Sequence, residues 1–99
     1  MLKLLTPVHP GEILREEYLK PLAMSAGALA RKLNVPRTRI ERLASEQTPV
    51  TTDTALRLAK YFRTTPDFWL NLQSSYDLSS QAPALQEELD AIEEIDHAT

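Results

Sequence analysis

Three arginines on one short predicted helix are the residues whose type and spacing point most clearly to chemistry. Arg37, Arg39 and Arg42 follow Pro36 in the run RTRIERL. A guanidinium pairs with phosphate oxygens and bonds bidentately to guanine, so arginines presented by one helix are typical of a nucleic-acid contact. Catalysis is not expected, because no nucleophile and base are paired by their spacing and no glycine-rich phosphate loop is present. We therefore expect neither an enzyme nor a bound cofactor.

The run from Ser25 to Ser45 predicts a helix-turn-helix that positions these arginines. Its first helix spans about 26–33, with Ser25 as the N-cap. Asn34 is expected in the left-handed conformation that ends this helix, and Pro36 is expected as the first residue of the next one. In a helix-turn-helix the second helix lies in the DNA major groove. The apolar residues expected to pack the two helices together are Leu29, Ala30, Leu33, Val35, Ile40 and Leu43.

Helical geometry sorts the exposed positions of the second helix. If Ile40 and Leu43 point inward, Thr38 and Arg42 point outward and are the favoured base readers, while Arg39 lies on a flank and is expected to meet phosphate. The residues expected to contact bases are Thr38, Arg42, Arg37, Glu41 and Ser45. The residues expected to contact phosphate are Arg39, Ser25, Lys32, Thr48, Thr51 and Thr52. The alternative is a surface hairpin with a solvated basic face, in which the serine and the threonines are only helix caps.

Charge is divided unevenly along the chain. The net charge is −3, but all 11 lysines and arginines lie in residues 1–63, where they outnumber the acidic residues by five. Residues 64–99 carry no basic residue and a net charge of −8. Because the local field governs attraction to phosphate, the basic part is expected to face DNA and the acidic part to face away.

Helical periodicity elsewhere predicts an all-α chain. A DNA-binding domain is expected over residues 1–78 and an acidic tail over residues 79–99, helical from about Pro83. Phe68, Trp69, Leu72 and Tyr76 are expected to be core or dimer-interface residues. The helices predicted outside the helix-turn-helix are residues 10–19, ended by Pro21, a helix from Thr51 or Thr52 to about Arg63, and a helix that begins at Thr65-Pro66.

The acidic tail allows two interpretations. An amphipathic acidic helix is suited to cover a basic partner surface, or to exchange between two copies as a dimer arm. The favoured expectation is a helix docked on its own domain, with frayed residues after Ile95.

Composition limits the remaining possibilities. The chain has no cysteine, so disulfides and thiolate metal sites are excluded and a reducing cytoplasm is expected. Its only histidines, His9 and His97, lie at opposite ends of the sequence, so no metal site is expected and His9 is assigned to the turn that starts the first helix. The apolar run at the start is too short for a signal peptide, and no segment has transmembrane length.

The chain resembles a known family in the runs PVHPGEILREEYLKPL and ALRLAKYFRTTPDFWLNLQSSYDL, which flank the helix-turn-helix. They are similar to the HigA family of antitoxins, also called VapI-type regulators, within the xenobiotic-response-element or phage-repressor-like group. The resemblance covers about Pro7 to Leu78. It implies a five-helix, lambda-repressor-like fold that dimerises and binds operator DNA in its own promoter. It also implies a HigB-like toxin partner, a RelE-fold ribonuclease that cleaves messenger RNA.

This sequence departs from the family pattern at four points. Asn34 stands where glycine is frequent, and residues 45–47 replace a common Asn-Gly-basic loop. Residues 79–81 lack a frequent tryptophan, and the acidic tail has no firm counterpart. Toxin-contact residues vary within the family, so none is transferred to this chain.

Two function classes follow from the sequence. The first is an antitoxin that represses its own operon as a dimer, since one recognition helix reads too few base pairs to be specific. The second is a free-standing helix-turn-helix regulator without a toxin. A helical adaptor is a distant third possibility, and no membrane or small-molecule partner is expected.

Overall fold

The computed structural model describes residues 7–96, which form helices and no β-strand. The helix-turn-helix consists of the helices Ala26–Leu33 and Arg37–Ala44, and its exposed side is continued by the start of the helix Thr52–Phe62. The first helix begins as an α-helix and continues directly as a π-helical segment, at whose end the Lys20 amide donates to the Arg15 carbonyl. The helices are α1 (Pro10–Ile13, with the π-helical segment Leu14–Leu19), α2 (Ala26–Leu33), α3 (Arg37–Ala44), α4 (Thr52–Phe62) and α5 (Pro66–Asp90).

Side-chain caps begin four of these helices, mostly where the sequence predicts them. His9 Nδ1 accepts from the Gly11 amide at 2.9 Å, which confirms its place in the helix-start turn. The side-chain oxygens of Ser25, Thr51 and Thr65 each accept a hydrogen bond from the backbone N–H three residues later. Each cap thus satisfies one of the first-turn N–H groups that have no partner within the helix. The expectation for Pro36 is wrong by one residue. Its extended backbone (φ −61°, ψ 144°) makes it the N-cap of α3, which begins at Arg37.

The turns that follow the first four helices use the left-handed conformation without glycine. Asn34 ends α2 with φ 60°, as predicted, and its short polar side chain tolerates this region better than most. Ala23, Glu46 and Arg63 adopt the same conformation, with φ between 51° and 66°. Glu46 lies in the loop where the family pattern commonly has Asn-Gly, and it adopts the left-handed conformation without glycine.

The core lies where α1 to α5 meet around Trp69. This indole is fully buried, donates to the Thr64 hydroxyl at 2.8 Å, and lies 5.3 Å from the ring of Tyr18. Leu14, Leu29, Ile40 and Leu58 are among the largest fully buried side chains. Trp69 is therefore core as predicted, whereas Phe68 is 38% exposed at the edge of this cluster.

The long helix α5 passes without a break through the expected boundary after Leu78 and through Pro83. Every residue from Leu78 to Asp96 is exposed. The expectation of a tail docked on its own domain is thus wrong, because its apolar residues meet no surface within the described chain. Residues 97–99, including His97, lie outside the described residues.

Candidate nucleic-acid interface

The recognition helix α3 is held by its apolar side and presents its polar side to solvent. Ile40 and Leu43 are buried against the rest of the domain, as predicted. Gly11 allows α1 to approach α3 closely, because a Cβ atom there would lie 1.9 Å from the Leu43 carbonyl oxygen. All residues of α3 proposed to contact DNA are exposed: Arg37, Thr38, Arg39, Glu41 and Arg42.

An open cleft of about 390 Å³ separates α3 from the loop and first turn of α4. Thr38 and Arg42 line it from α3, and Thr48 and Thr51 line it from the opposite side. Arg39 and Asp53 complete its charged rim. The structure therefore brings two predicted base readers and three predicted phosphate contacts to one concave surface, beside the positive end of the α4 dipole.

Asp53 connects this cleft to the rest of the domain. Its carboxylate accepts from Arg39 across the cleft and from Arg57, one turn later on α4, at 3.0 Å. These two hydrogen bonds, that of Arg39 first, lower the pKa of Asp53 below its ordinary value. Arg57 also donates to the Leu33 carbonyl at 2.8 Å, at the end of α2. Asp53 thus fixes the guanidinium of Arg39 relative to both neighbouring helices.

Sequence reasoning missed Asp53 and Arg57 as members of the site. The available signal was their spacing, since an acid four residues before a base on a helix forms a favourable pair. The link from Asp53 to Arg39 spans 14 residues and carries no such local signal.

A second set of charged contacts holds the C-terminal end of the recognition helix α3. Arg15 donates to the Ala44 carbonyl, in the last turn of α3, and pairs with the Glu46 carboxylate at 3.1 Å. A hydrogen bond from Arg15 to Glu16 is the main cause of a raised pKa at Arg15, to which Glu46 adds. The orientation of α3 is therefore fixed by charged contacts at both ends as well as by its buried side.

The other predicted site residues lie outside the cleft. Arg37 pairs with Glu41 at 3.3 Å along the exposed side of α3, which leaves both near the groove-facing surface. Ser45 donates its hydroxyl to the Glu41 and Arg42 carbonyls, so it retains only acceptor capacity for a base. Ser25 caps α2, Thr52 is exposed in the first turn of α4, and Lys32 lines a separate cleft between α2 and α4.

Within residues 7–96 no group of three or more histidine or acidic side chains is arranged to hold a metal ion. In the same part of the chain, no helix combines the length and the apolar character needed to cross a membrane.

Comparison with known proteins identifies the family. Residues 16–69 match the family model described as helix-turn-helix. Virulence-associated protein I of Dichelobacter nodosus is 56% identical over 71 residues, covering 72% of this chain and 66% of the relative. Antitoxin HigA-1 of Vibrio cholerae is 37% identical over 82 residues, covering 83% of this chain and 77% of the relative. The chain belongs to the HigA family of helix-turn-helix antitoxins.

A solved structure of this family extends the similarity to the whole fold. The Pseudomonas aeruginosa antitoxin HigA with the higBA promoter superposes with a TM-score of 0.83 at 40% identity, covering 94% of this chain and 99% of that one. The all-α, lambda-repressor-like fold is thereby confirmed, and the family is one of DNA-binding regulators rather than enzymes.

Proposed function

We propose that this HigA-family protein binds operator DNA in its own promoter, represses that operon as a homodimer, and neutralises a HigB-like toxin. The observation that carries the DNA-binding part is the cleft beside α3, which places Thr38 and Arg42 opposite Thr48 and Thr51. A structure of this family with promoter DNA supports the same role for this fold.

In the proposed complex α3 enters the major groove. Arg42 reads a guanine through bidentate hydrogen bonds and Thr38 contacts a neighbouring base. Arg39, held by Asp53, binds phosphate with its remaining donors. The start of α4 binds the next phosphate through Thr51 and its first amides. Arg37, Glu41 and Ser45 remain secondary base contacts, and Ser25, Lys32, Thr48 and Thr52 complete the proposed phosphate contacts. Two copies would read half-sites about one helical turn apart.

Arg42 and Arg39 should respond differently to removal of their side chains. Arg42→Ala should cost about 1–3 kcal/mol of operator binding and relax the preference at one base position. Arg39→Ala should weaken binding to all sequences about equally, because phosphate carries no sequence information. Fluorescence anisotropy with promoter DNA and single-base variants measures both effects. Equal affinity of wild type and Arg42→Ala for every operator variant would refute base reading by this residue.

Toxin binding is the part that separates the two function classes. If the reading frame directly upstream encodes a small basic protein, its co-expression with this chain should yield a stable complex and relieve growth arrest by that protein. If the neighbouring product neither co-purifies nor arrests growth, while promoter binding persists, the protein acts as a free-standing regulator.

A further inference from the structure

A second open cleft, of about 420 Å³, lies between the end of α2 and one side of α4. We call it the α2–α4 cleft. The residues that α4 contributes recur with the spacing of three and four that keeps side chains on one face of a helix. From α4 the lining residues are Asp53, Leu56, Arg57, Lys60 and Tyr61, and from α2 and the turn after it they are Lys32, Leu33 and Asn34.

The floor of the α2–α4 cleft is held in place by Arg57. Its guanidinium donates to the Leu33 carbonyl at 2.8 Å and to the Asp53 carboxylate at 3.0 Å, so it joins the end of α2 to the first turns of α4. The charge of Arg57 is thereby paired within the domain. An occupant would meet a preformed surface, which limits the conformational entropy lost on binding.

Two side chains give this cleft an exposed apolar surface. Leu56 is 54% exposed and Tyr61 is 37% exposed. The Tyr61 ring lies edge-on to Phe62, with centroids 5.0 Å apart, so it is partly fixed while its hydroxyl remains accessible. Apolar side chains that are grouped beside a concave surface are typical of sites of protein interaction, and tyrosine is enriched in such sites.

The charged groups at the rim that lack a partner are both positive. Within residues 7–96, Lys32 and Lys60 form no ion pair and the Tyr61 hydroxyl forms no hydrogen bond. Asp53 is the only carboxylate among the described lining residues, and two arginines already bind it. The cleft therefore offers two ammonium groups and a phenol donor beside an apolar surface.

We propose that the α2–α4 cleft binds an acidic amphipathic peptide segment of a partner protein. Apolar side chains of this segment pack on Leu56 and Tyr61, and its carboxylates pair with Lys32 and Lys60. Charge complementarity selects this occupant, because a basic protein would face the two lysines without a free carboxylate to bind. The site is accordingly distinct from the surface that a small basic toxin would need.

Leu56 favours a peptide over a nucleic-acid backbone. Burial of this leucine against an apolar side chain is favourable, whereas a phosphate gains nothing from contact with it. Lys60 also lies about 10 Å farther along α4 than Asp53, at a rise of 1.5 Å per residue. The rim of the α2–α4 cleft thus extends away from the first turn of α4, where DNA is proposed to bind.

A defined peptide and a residue-resolved measurement test the proposal. The probe is the peptide Glu-Ala-Leu-Glu-Glu-Leu-Phe-Glu-Ala-Leu-Glu-Glu, and its counterpart has lysine in place of every glutamate. In nuclear magnetic resonance titrations of the isotope-labelled full-length chain, the acidic peptide should shift the backbone amide signals of Leu56, Lys60 and Tyr61. The basic peptide should leave them unchanged. No shift with the acidic peptide at millimolar concentration, or equal shifts with both peptides, would overturn the proposal.

Matched variants separate the cleft from the general surface. Leu56→Gln removes the apolar contact and should weaken binding of the acidic peptide roughly tenfold. Leu22→Gln is the control, because Leu22 is 55% exposed and lies outside the cleft. Lys60→Gln should weaken binding about two- to fivefold, as expected for loss of one exposed ion pair. Circular dichroism and Trp69 fluorescence verify folding, and wild-type peptide binding by Leu56→Gln would refute the assigned site.

Other occupants give different results in the same titrations. Shifts at Leu56 and Lys60 that depend on the concentration of the chain alone would place a second copy in the cleft. Shifts caused by duplex DNA of random sequence, with none from the acidic peptide, would identify a nucleic-acid site. Either result overturns the proposal of an acidic peptide.

Operator binding keeps this test separate from that of the proposed function. Leu56→Gln and Lys60→Gln should bind promoter DNA with about wild-type affinity, because neither residue contacts DNA in the proposed complex. Loss of peptide binding with retained operator binding would assign the defect to the α2–α4 cleft. If the wild-type chain binds the acidic peptide but not promoter DNA, the cleft proposal stands and the DNA-binding proposal falls.

Discussion

Asp53 illustrates how one acidic side chain organises a basic surface. It lies at the rim of the cleft, between Arg39 on α3 and Arg57 on α4. Since carboxylates repel DNA phosphates, its place at the interface is explained by positioning rather than by direct contact. It holds a flexible guanidinium where the phosphate is proposed to bind, which reduces the conformational entropy lost on binding.

Replacement of this carboxylate should show a defined pH dependence. Because the pKa of Asp53 in the folded chain lies below its ordinary value of 3.8, the charged form favours folding above that pH. This contribution is lost as the pH falls through the folded-state pKa. Asp53→Asn should therefore lower thermal stability at pH 7 and leave it unchanged at pH values well below 3.8.

Asp67→Asn is the matched control, because Asp67 occupies the first turn of α5 as Asp53 does in α4. Both substitutions remove a favourable charge from a helix N-terminus, so their difference isolates the arginine pairs. Equal losses at pH 7, or a difference that persists in acid, would contradict the assigned role of Asp53.

Close approach of backbones determines how the helices of the DNA-binding part fit together. The first helix crosses the end of α3 at Gly11, where only a hydrogen atom separates it from the Leu43 carbonyl. Arg15, one turn later, donates to the Ala44 carbonyl of the same α3 turn. The HPGE segment that marks the family thus supplies the glycine against which the recognition helix packs.

Gly11→Ala should consequently destabilise the domain by about 1–3 kcal/mol, since the added methyl group collides with backbone that cannot move independently. Urea denaturation followed by Trp69 fluorescence measures the change. Gly27→Ala provides the control, because the added Cβ would lie 2.9 Å from the Arg37 side chain, which can rotate away. This second variant should stay within about 1 kcal/mol of wild type, helped by the helix propensity of alanine. Equal free energies of unfolding for the two variants would contradict the steric role assigned to Gly11.

The molecule as a whole separates a basic part, proposed to face DNA, from an acidic arm, the exposed second half of α5. The described chain measures 56 × 28 × 22 Å, and the exposed half of α5 contributes to its length. Residues 64–99 carry a net charge of −8, which would repel DNA if they lay near α3. The division after Leu78 is proposed on this functional ground, because α5 itself runs through it without a break.

Operator binding should therefore weaken steeply with salt, by a log–log slope of about −0.9 for each phosphate neutralised. Arg39→Ala should make this slope less negative by about one, because the variant no longer neutralises the phosphate that Arg39 is proposed to bind. The double substitution Glu87→Gln and Glu88→Gln should leave the slope unchanged, because the arm is proposed to face away from DNA. Binding that does not change between low and high salt would exclude the proposed phosphate contacts.

Local patterns in the sequence determined much of this protein. The caps at Ser25, Thr51 and Thr65, the left-handed Asn34 and the buried stripe of α3 are all set by residues within one or two turns of each other. Interactions over such short distances depend on helix geometry alone, so spacing predicts them.

Only the tertiary structure decided how these elements meet. The links from Arg39 to Asp53, Arg57 to Leu33 and Arg15 to Ala44 span 14, 24 and 29 residues. Helical periodicity shows that the tail is amphipathic, but not which surface covers its apolar side, and the expectation of self-docking was wrong for that reason. The direction of α5 is set by packing around Trp69, which carries the second half of this helix away from the domain and leaves its apolar side chains exposed.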